Sequence, residues 1–138
     1  MSRRTARAAA MQALYQLDIG LASSTSAFAY ALHATPLAEG DEQYARSLVS
    51  SAIAKWDDIN ALIDDALADW AIDRLARVDR SLLRLAVAEM LNYHPDTPVG
   101  VIISECIELA KEYSTEESSR FVNGILGAIA RKLNPSQQ

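Results

Sequence analysis

Apolar residues recur at helical spacing along nearly the whole chain. Ala10, Ala13, Leu14, Leu17 and Leu21 follow i, i+3, i+4, i+7 steps, the stripe of a helix over about 3 to 17. Gly20 and the Ser/Thr run at 23–26 break it. A short helix carrying Phe28 and Leu32 follows and ends before Pro36, and the loop 37–40 leads to Asp41, placed to cap the next helix. Tyr44, Leu48, Val49, Ala52 and Ile53 line one face, and Ile59, Leu62, Ile63 and Leu67 continue it beyond Trp56. Two consecutive helices and one bent helix fit this stretch equally. A connection holding Trp70, Ile72 and Leu75 precedes a helix over about 79 to 92, whose apolar side is Leu82, Leu83, Leu85, Ala86 and Met90 and which Pro95 stops. Thr97 before Pro98 reads as an N-cap with proline in the first helical position, opening a helix to about 113. Ser114 and Glu117 have the S-x-x-E spacing of a capping box for a last helix to about 133.

Strand signals are nearly absent. The only β-branched cluster, 99–103, runs into a helical pattern, and the hairpin signal Asn123-Gly124 is overridden by Phe121, Val122, Ile125, Leu126 and Ile129 at helical spacing. The expected fold is all-α, about seven helices in one bundle-like domain over residues 1–138.

Composition narrows the class of protein. A folded chain of 138 residues buries roughly 68–70% of its unfolded surface, enough for a core without staples. The single cysteine, Cys106, forms no internal disulfide, which fits a reducing compartment and the cytoplasm. The basic, Ala/Leu-rich opening is similar to an export signal, but Gln12, Gln16 and Asp18 interrupt it, and no later run approaches the roughly 18–20 apolar residues of a membrane span. No membrane association is expected. The net charge of −5 counts against nucleic-acid binding as an average. Acidic residues, however, concentrate in 39–73 and 95–119, leaving 1–38, 74–94 and 120–138 net basic. Screening beyond about 8 Å makes a phosphate respond to the patch beside it.

Catalytic signatures are missing. The sequence has no Gly-rich phosphate loop, C-x-x-C pair, H-E-x-x-H or G-x-S-x-G. His33 and His94 read as exposed or capping residues. Glu105, Glu108 and Glu112 read as a solvated charged face near Lys111, and Asp57, Asp58, Asp64, Asp65 and Asp69 lack the glycine and spacing of a calcium loop. Cys106 among Ile102, Ile103, Ile107 and Ala110 reads as a small buried thiol. No enzyme, metal site or cofactor is expected.

Binding signals are stronger. At about 100° per residue, Arg4, Arg7, Ala8, Gln12 and Tyr15 share one side of the first helix, roughly opposite Ala10, Leu14 and Leu17. Exposed, this stripe suits single-stranded RNA: guanidinium forks for phosphates, an amide for base edges, a ring for stacking. An ordinary solvated face with a half-buried tyrosine fits the same spacing. Arg120, Gly124, Gly127 and Arg131 share a face of the last helix, where two glycines suggest close approach by a helix or a ligand. Arg77, Arg80 and Arg84 form a third basic row, equally suited to neutralising the acidic segment before it.

Four motifs together resemble the NusB family of transcription antitermination factors: R-x-x-A-x-x-A-x-Q-x-L-Y from Arg4 to Tyr15, R-V-D-R-S-L-L-R-L-A over 77–86, I-E-L-A-K-E-Y-S over 107–114 and R-F-V-N-G-I-L over 120–126. The resemblance implies two packed helical subdomains and a non-enzymatic role. It implies a NusE partner, a small-subunit ribosomal protein, docked on helices within about 60–112, and joint binding of boxA RNA. Other Nus factors and RNA polymerase would complete a complex that favours transcription of ribosomal RNA operons. Carried onto matching positions, the RNA contacts are Arg3, Arg4, Arg7, Gln12, Tyr15, Glu117, Ser118, Arg120 and Phe121, with Asp79 and Arg80 as additions. Thr5, Ala88, Ser104 and Gly127 depart from residues common in the family.

If the three N-terminal arginines each neutralise one phosphate, they contribute a log–log salt slope of about −2. Two other readings compete. One is the helical domain that precedes the catalytic domain of some RNA cytosine methyltransferases, although no Rossmann-like strand and glycine-rich turn follows here. The other is a protein-only adaptor whose acidic middle docks a basic partner. An apolar docking face left empty also allows a homodimer of the free protein.

Overall fold

Residues Arg3–Ile19 form the first helix, α1, ended by Gly20, whose φ of 81° an L side chain rarely adopts and whose N–H returns to the Leu17 carbonyl at 3.0 Å. The computed structural model describes residues 3–20, 23–34, 36–68, 71–92 and 97–133; Leu21, Asp69, Trp70, His94 and Pro95 lie outside them. After α1 come α2 (Ser24–Ala34), α3 (Glu39–Ala54), α4 (Trp56–Leu67), a 3-10 turn (Ile72–Arg74), α5 (Arg77–Leu91), α6 (Val99–Tyr113) and α7 (Glu116–Leu133). The described residues are therefore all-α, with seven α-helices, and Asn123-Gly124 lies inside α7.

The stretch after Asp41 resolves into two helices that break at Lys55, whose ammonium reaches the Leu91 carbonyl at 3.4 Å. Several predicted caps shift. Asp41 is buried inside the first turn of α3, because Ala38 is the N-cap and its carbonyl takes the Glu42 N–H at 2.8 Å. Pro98, not Thr97, holds the cap of α6 and accepts the first helical bonds from Val101 and Ile102. At α7 the capping hydroxyl belongs to Thr115, which accepts the Ser118 N–H at 2.9 Å; Ser114 is drawn away to Asp79.

α1 packs against α2, α3 and α5, while α4, α6 and α7 gather on the other sides of α5. The two groups correspond to two helical subdomains sharing α5 as their common wall. Every residue from Asp79 to Glu89 is consequently buried, including Asp79, Arg80, Arg84 and Glu89. A buried charge is tolerated only when paired or hydrogen-bonded, so this central helix dictates polar partners on its neighbours. α7 closes the bundle with Val122, Leu126 and Ile129 inside and Lys132 bonded to Asp65 of α4 at 2.7 Å.

Candidate nucleic-acid interface

The predicted stripe on α1 is not the exposed row its spacing suggested. Arg7 and Ala8 are buried, because α2, α3 and α5 cover most of the circumference of α1. Arg7 Nε and Nη2 donate to the two oxygens of Glu89 at 2.8 and 2.6 Å, and the Tyr44 hydroxyl donates to the same carboxylate at 2.6 Å. Burial disfavours the charged form of Arg7, but the hydrogen bonds and charge of Glu89 outweigh it and hold the guanidinium above its ordinary pKa. The same surroundings push the Tyr44 hydroxyl up, through burial first and then its bond to Glu89. Arg7 is thus a cross-link between α1 and α5.

Arg3 and Arg4 remain on the surface. Arg3 lies over the Tyr44 ring at 3.8 Å, a cation–π contact. Arg4 Nε and Nη2 both donate to Glu105 Oε2, at 3.1 and 2.7 Å, so Glu105 is not the free member of a solvated acidic face that its spacing suggested.

Two turns further along α1, Gln12 and Tyr15 border a hollow of about 350 Å³. Tyr30 and Ala34 of α2, Val78 of α5, Tyr113 at the end of α6 and Met11 and Gln16 of α1 complete its lining. Tyr30 is 58% and Tyr113 38% exposed, rings left to solvent in a hollow lined from α1, α2, α5 and α6. Neither tyrosine is marked by periodicity; each becomes notable only once packing brings it beside Gln12 and Tyr15.

The predicted α7 residues border a second hollow of about 270 Å³, lined by Leu75, Thr115, Glu117, Ser118 and Phe121. The two linings draw on neighbouring stretches of chain, Val78 and Tyr113 for the first, Leu75 and Thr115 for the second. The Asp79 carboxylate accepts the hydroxyls of Ser114 and Ser118 at 3.1 and 3.0 Å, pinning the α6–α7 turn to the start of α5. Arg120 is exposed and makes no ion pair among the described residues. Gln12 and Tyr15 therefore border one hollow and Glu117, Ser118 and Phe121 the other, whereas Asp79 and Arg80 are buried supports and not surface groups.

Arg80 and Arg84 pair with the carboxylate of Asp18 on α1 and with no carboxylate of the acidic segment 39–73, which gives Arg80 only the Asp73 carbonyl, at 3.1 Å from Nη1. Arg84 Nη1 donates to Asp18 Oδ1 at 2.8 Å, Arg80 Nη2 donates to Oδ2, and Arg77 Nε stands 3.5 Å away. Arg84 also bonds Asn60 and lies over the Trp56 ring at 4.3 Å. Burial works to raise the Asp18 pKa, but the bonds from Arg84 and Arg80 prevail and hold it below its ordinary value. The glycines of α7 are not explained by close packing: a Cβ at Gly124 meets nothing within 4 Å, and one at Gly127 meets only Arg131 Nη1 at 3.5 Å.

The buried Cys106 thiol, pushed up to about 12 by burial, is unsuited to nucleophilic work. No group of three or more His, Cys, Asp or Glu among the described residues could hold a metal ion, and no helix among them is long and apolar enough to cross a membrane.

The NusB family model matches residues 4–131. The transcription antitermination protein NusB of Heliobacterium modesticaldum is 42% identical over 137 residues, which cover 99% of this chain and 66% of that protein. Its counterpart in Bacillus subtilis is 38% identical over 99% of this chain and 100% of its own length. A chain from the crystal structure of antitermination factors NusB and NusE in complex with dsRNA superposes with a TM-score of 0.84 at 30% identity, covering 94% of this chain and 96% of that one.

Proposed function

The chain belongs to the NusB family, and from that premise we propose that it is a cytoplasmic transcription antitermination factor that holds boxA-type RNA jointly with a NusE partner. Other Nus factors and RNA polymerase would join the pair in supporting transcription of ribosomal RNA operons. The observation that carries this reading is the pair of hollows drawn from neighbouring stretches of chain, Gln12 and Tyr15 with Val78 and Tyr113, and Ser118 and Phe121 with Leu75 and Thr115, the turn between Tyr113 and Thr115 being held by Asp79. Arg120 lies on the same helix as Phe121, and Arg3 and Arg4 on α1 with Gln12. Exposed rings call for unstacked bases, and exposed guanidinium groups for backbone phosphates, which together favour a single strand. The similar NusB–NusE assembly on dsRNA supports the pairing of RNA with a protein partner.

On this reading the RNA contacts are Arg3, Arg4, Gln12, Tyr15, Glu117, Ser118, Arg120 and Phe121, joined by Tyr30 and Tyr113. Arg7, Asp79 and Arg80 act from the interior by fixing the helices that present them. The salt dependence falls accordingly, since two exposed arginines on α1 account for a slope of about −1.4 in place of −2. With the partner present, replacing Arg3 and Arg4 together by alanine is expected to weaken binding of a boxA-type strand and to flatten the slope by about 1.4. Tyr30→Ala with Tyr113→Ala is expected to weaken binding with the slope kept, because stacking releases no counterion. Affinity and slope unchanged in both variants would sink this surface.

A further inference from the structure

Building on the reading that α1 takes RNA phosphates, we propose that Glu105 is an internal competitor for RNA, its carboxylate occupying the Arg4 guanidinium in the free protein and withdrawing when a phosphate binds there. Both bonds from Arg4 end on one oxygen, Oε2, at 3.1 and 2.7 Å, an arrangement a phosphate oxygen would reproduce. Exposure is lopsided across this pair: the Arg4 side chain is 53% exposed and that of Glu105 21%. An anion arriving from solvent therefore meets the arginine first, while the carboxylate sits on the protein side.

Glu105 is also held from behind. Its second oxygen lies 3.9 Å from Nη1 of the buried Arg7, whose Nε and Nη2 are committed to Glu89. Displaced from Arg4, the carboxylate keeps a cation beside it. Conversely, removing its charge leaves Arg7 bidentate on Glu89, so no buried cation is orphaned and the fold is insulated from the change. Glu108 and Glu112 on the same helix add negative charge felt by Arg4, so Glu105 is the contacting member of an acidic row that RNA must outcompete.

The test uses the full chain with its NusE partner and an unstructured boxA-type single strand. Glu105→Gln is expected to tighten binding by about 2- to 5-fold, the range for releasing an exposed ion pair. The salt slope should stay nearly unchanged, because Arg4 meets one phosphate in the complex of either protein and only the competition in the free state differs. In an Arg4→Ala background the same change should have no effect, because the competition needs both residues. Equal or weaker binding by Glu105→Gln would overturn the proposal, since a carboxylate that merely positions Arg4 gives that sign. Tightening that persists without Arg4 would also overturn it, as would loss of the fold in both Glu105→Gln and Glu105→Ala. If instead the Arg3/Arg4 and Tyr30/Tyr113 variants bind RNA like the unaltered protein, it is the underlying surface that fails, a different result from arginine variants that weaken while Glu105→Gln does not tighten.

Discussion

Replacing Glu89 by alanine is expected to destabilise the protein by about 3–5 kcal/mol, the cost of breaking a buried ion pair from one side. Arg7 and Glu89 are both buried, and the variant leaves the guanidinium inside without its carboxylate and the Tyr44 hydroxyl without its acceptor. Against a total stability of about 5–15 kcal/mol for a domain, this is a large fraction. Urea unfolding followed by far-ultraviolet circular dichroism measures it. The same physics predicts partial rescue: Arg7→Met, Glu89→Leu and Tyr44→Phe together should lose less than Glu89→Ala alone, because an apolar cluster has no charge to desolvate. A triple variant less stable than the single one would mean that the network supplies more than mutual compensation.

The second large effect centres on Asp18. Changing it to asparagine leaves Arg80 and Arg84, both nearly buried, facing each other without an anion, at a cost of about 3–5 kcal/mol. Arg77 adds little to this figure, since its side chain is 53% exposed and its contact is long. The effect carries a pH signature. Because the folded state holds the Asp18 pKa below the usual carboxylate value, its stabilisation is complete above the unfolded pKa and is lost as pH falls through the folded one. The gap in unfolding free energy between the unaltered protein and Asp18→Asn should stay constant above about pH 5 and narrow as the solution is acidified below about pH 4. A gap independent of pH would show that Asp18 matters by shape and not by charge.

These two clusters also mark the limit of what the sequence could disclose. α1, the breaks at Gly20 and Pro36 and the continuation of α7 through Asn123-Gly124 were legible because each depends on local spacing or backbone chemistry. α5 was not. Its apolar residues show one helical side, so Arg77, Arg80 and Arg84 read as a polar row; only assembly reveals walls on every side of 79–89 and a partner, Asp18, some sixty residues earlier in the chain. The cap of α7 was misplaced for a related reason. Ser114 and Thr115 are equivalent as capping residues, and the choice fell to a distant carboxylate that claims the hydroxyl of Ser114. For the interface, Gln12 and Tyr15 are legible in the helical spacing of α1 as well as in motif resemblance, Ser118 and Phe121 in the resemblance alone, while Tyr30 and Tyr113 required α2 and α6 to be placed beside α1.

The N-terminal arginines accordingly divide by role. Arg7 is committed to the core, Arg4 is engaged by Glu105, and Arg3 stacks on Tyr44. A surface whose cations are partly occupied in the free protein fits joint RNA binding with a partner better than strong binding alone, and fits the overall charge of −5.

Retention of a boxA-type single strand by this chain, by the NusE partner and by the two together tests that conclusion most directly. The pair is expected to hold the RNA at least about 5-fold more tightly than either protein alone, the lower range of coupling between linked sites. A mixture that holds the strand no better than the NusE partner by itself would contradict it and leave the chain a protein-only adaptor.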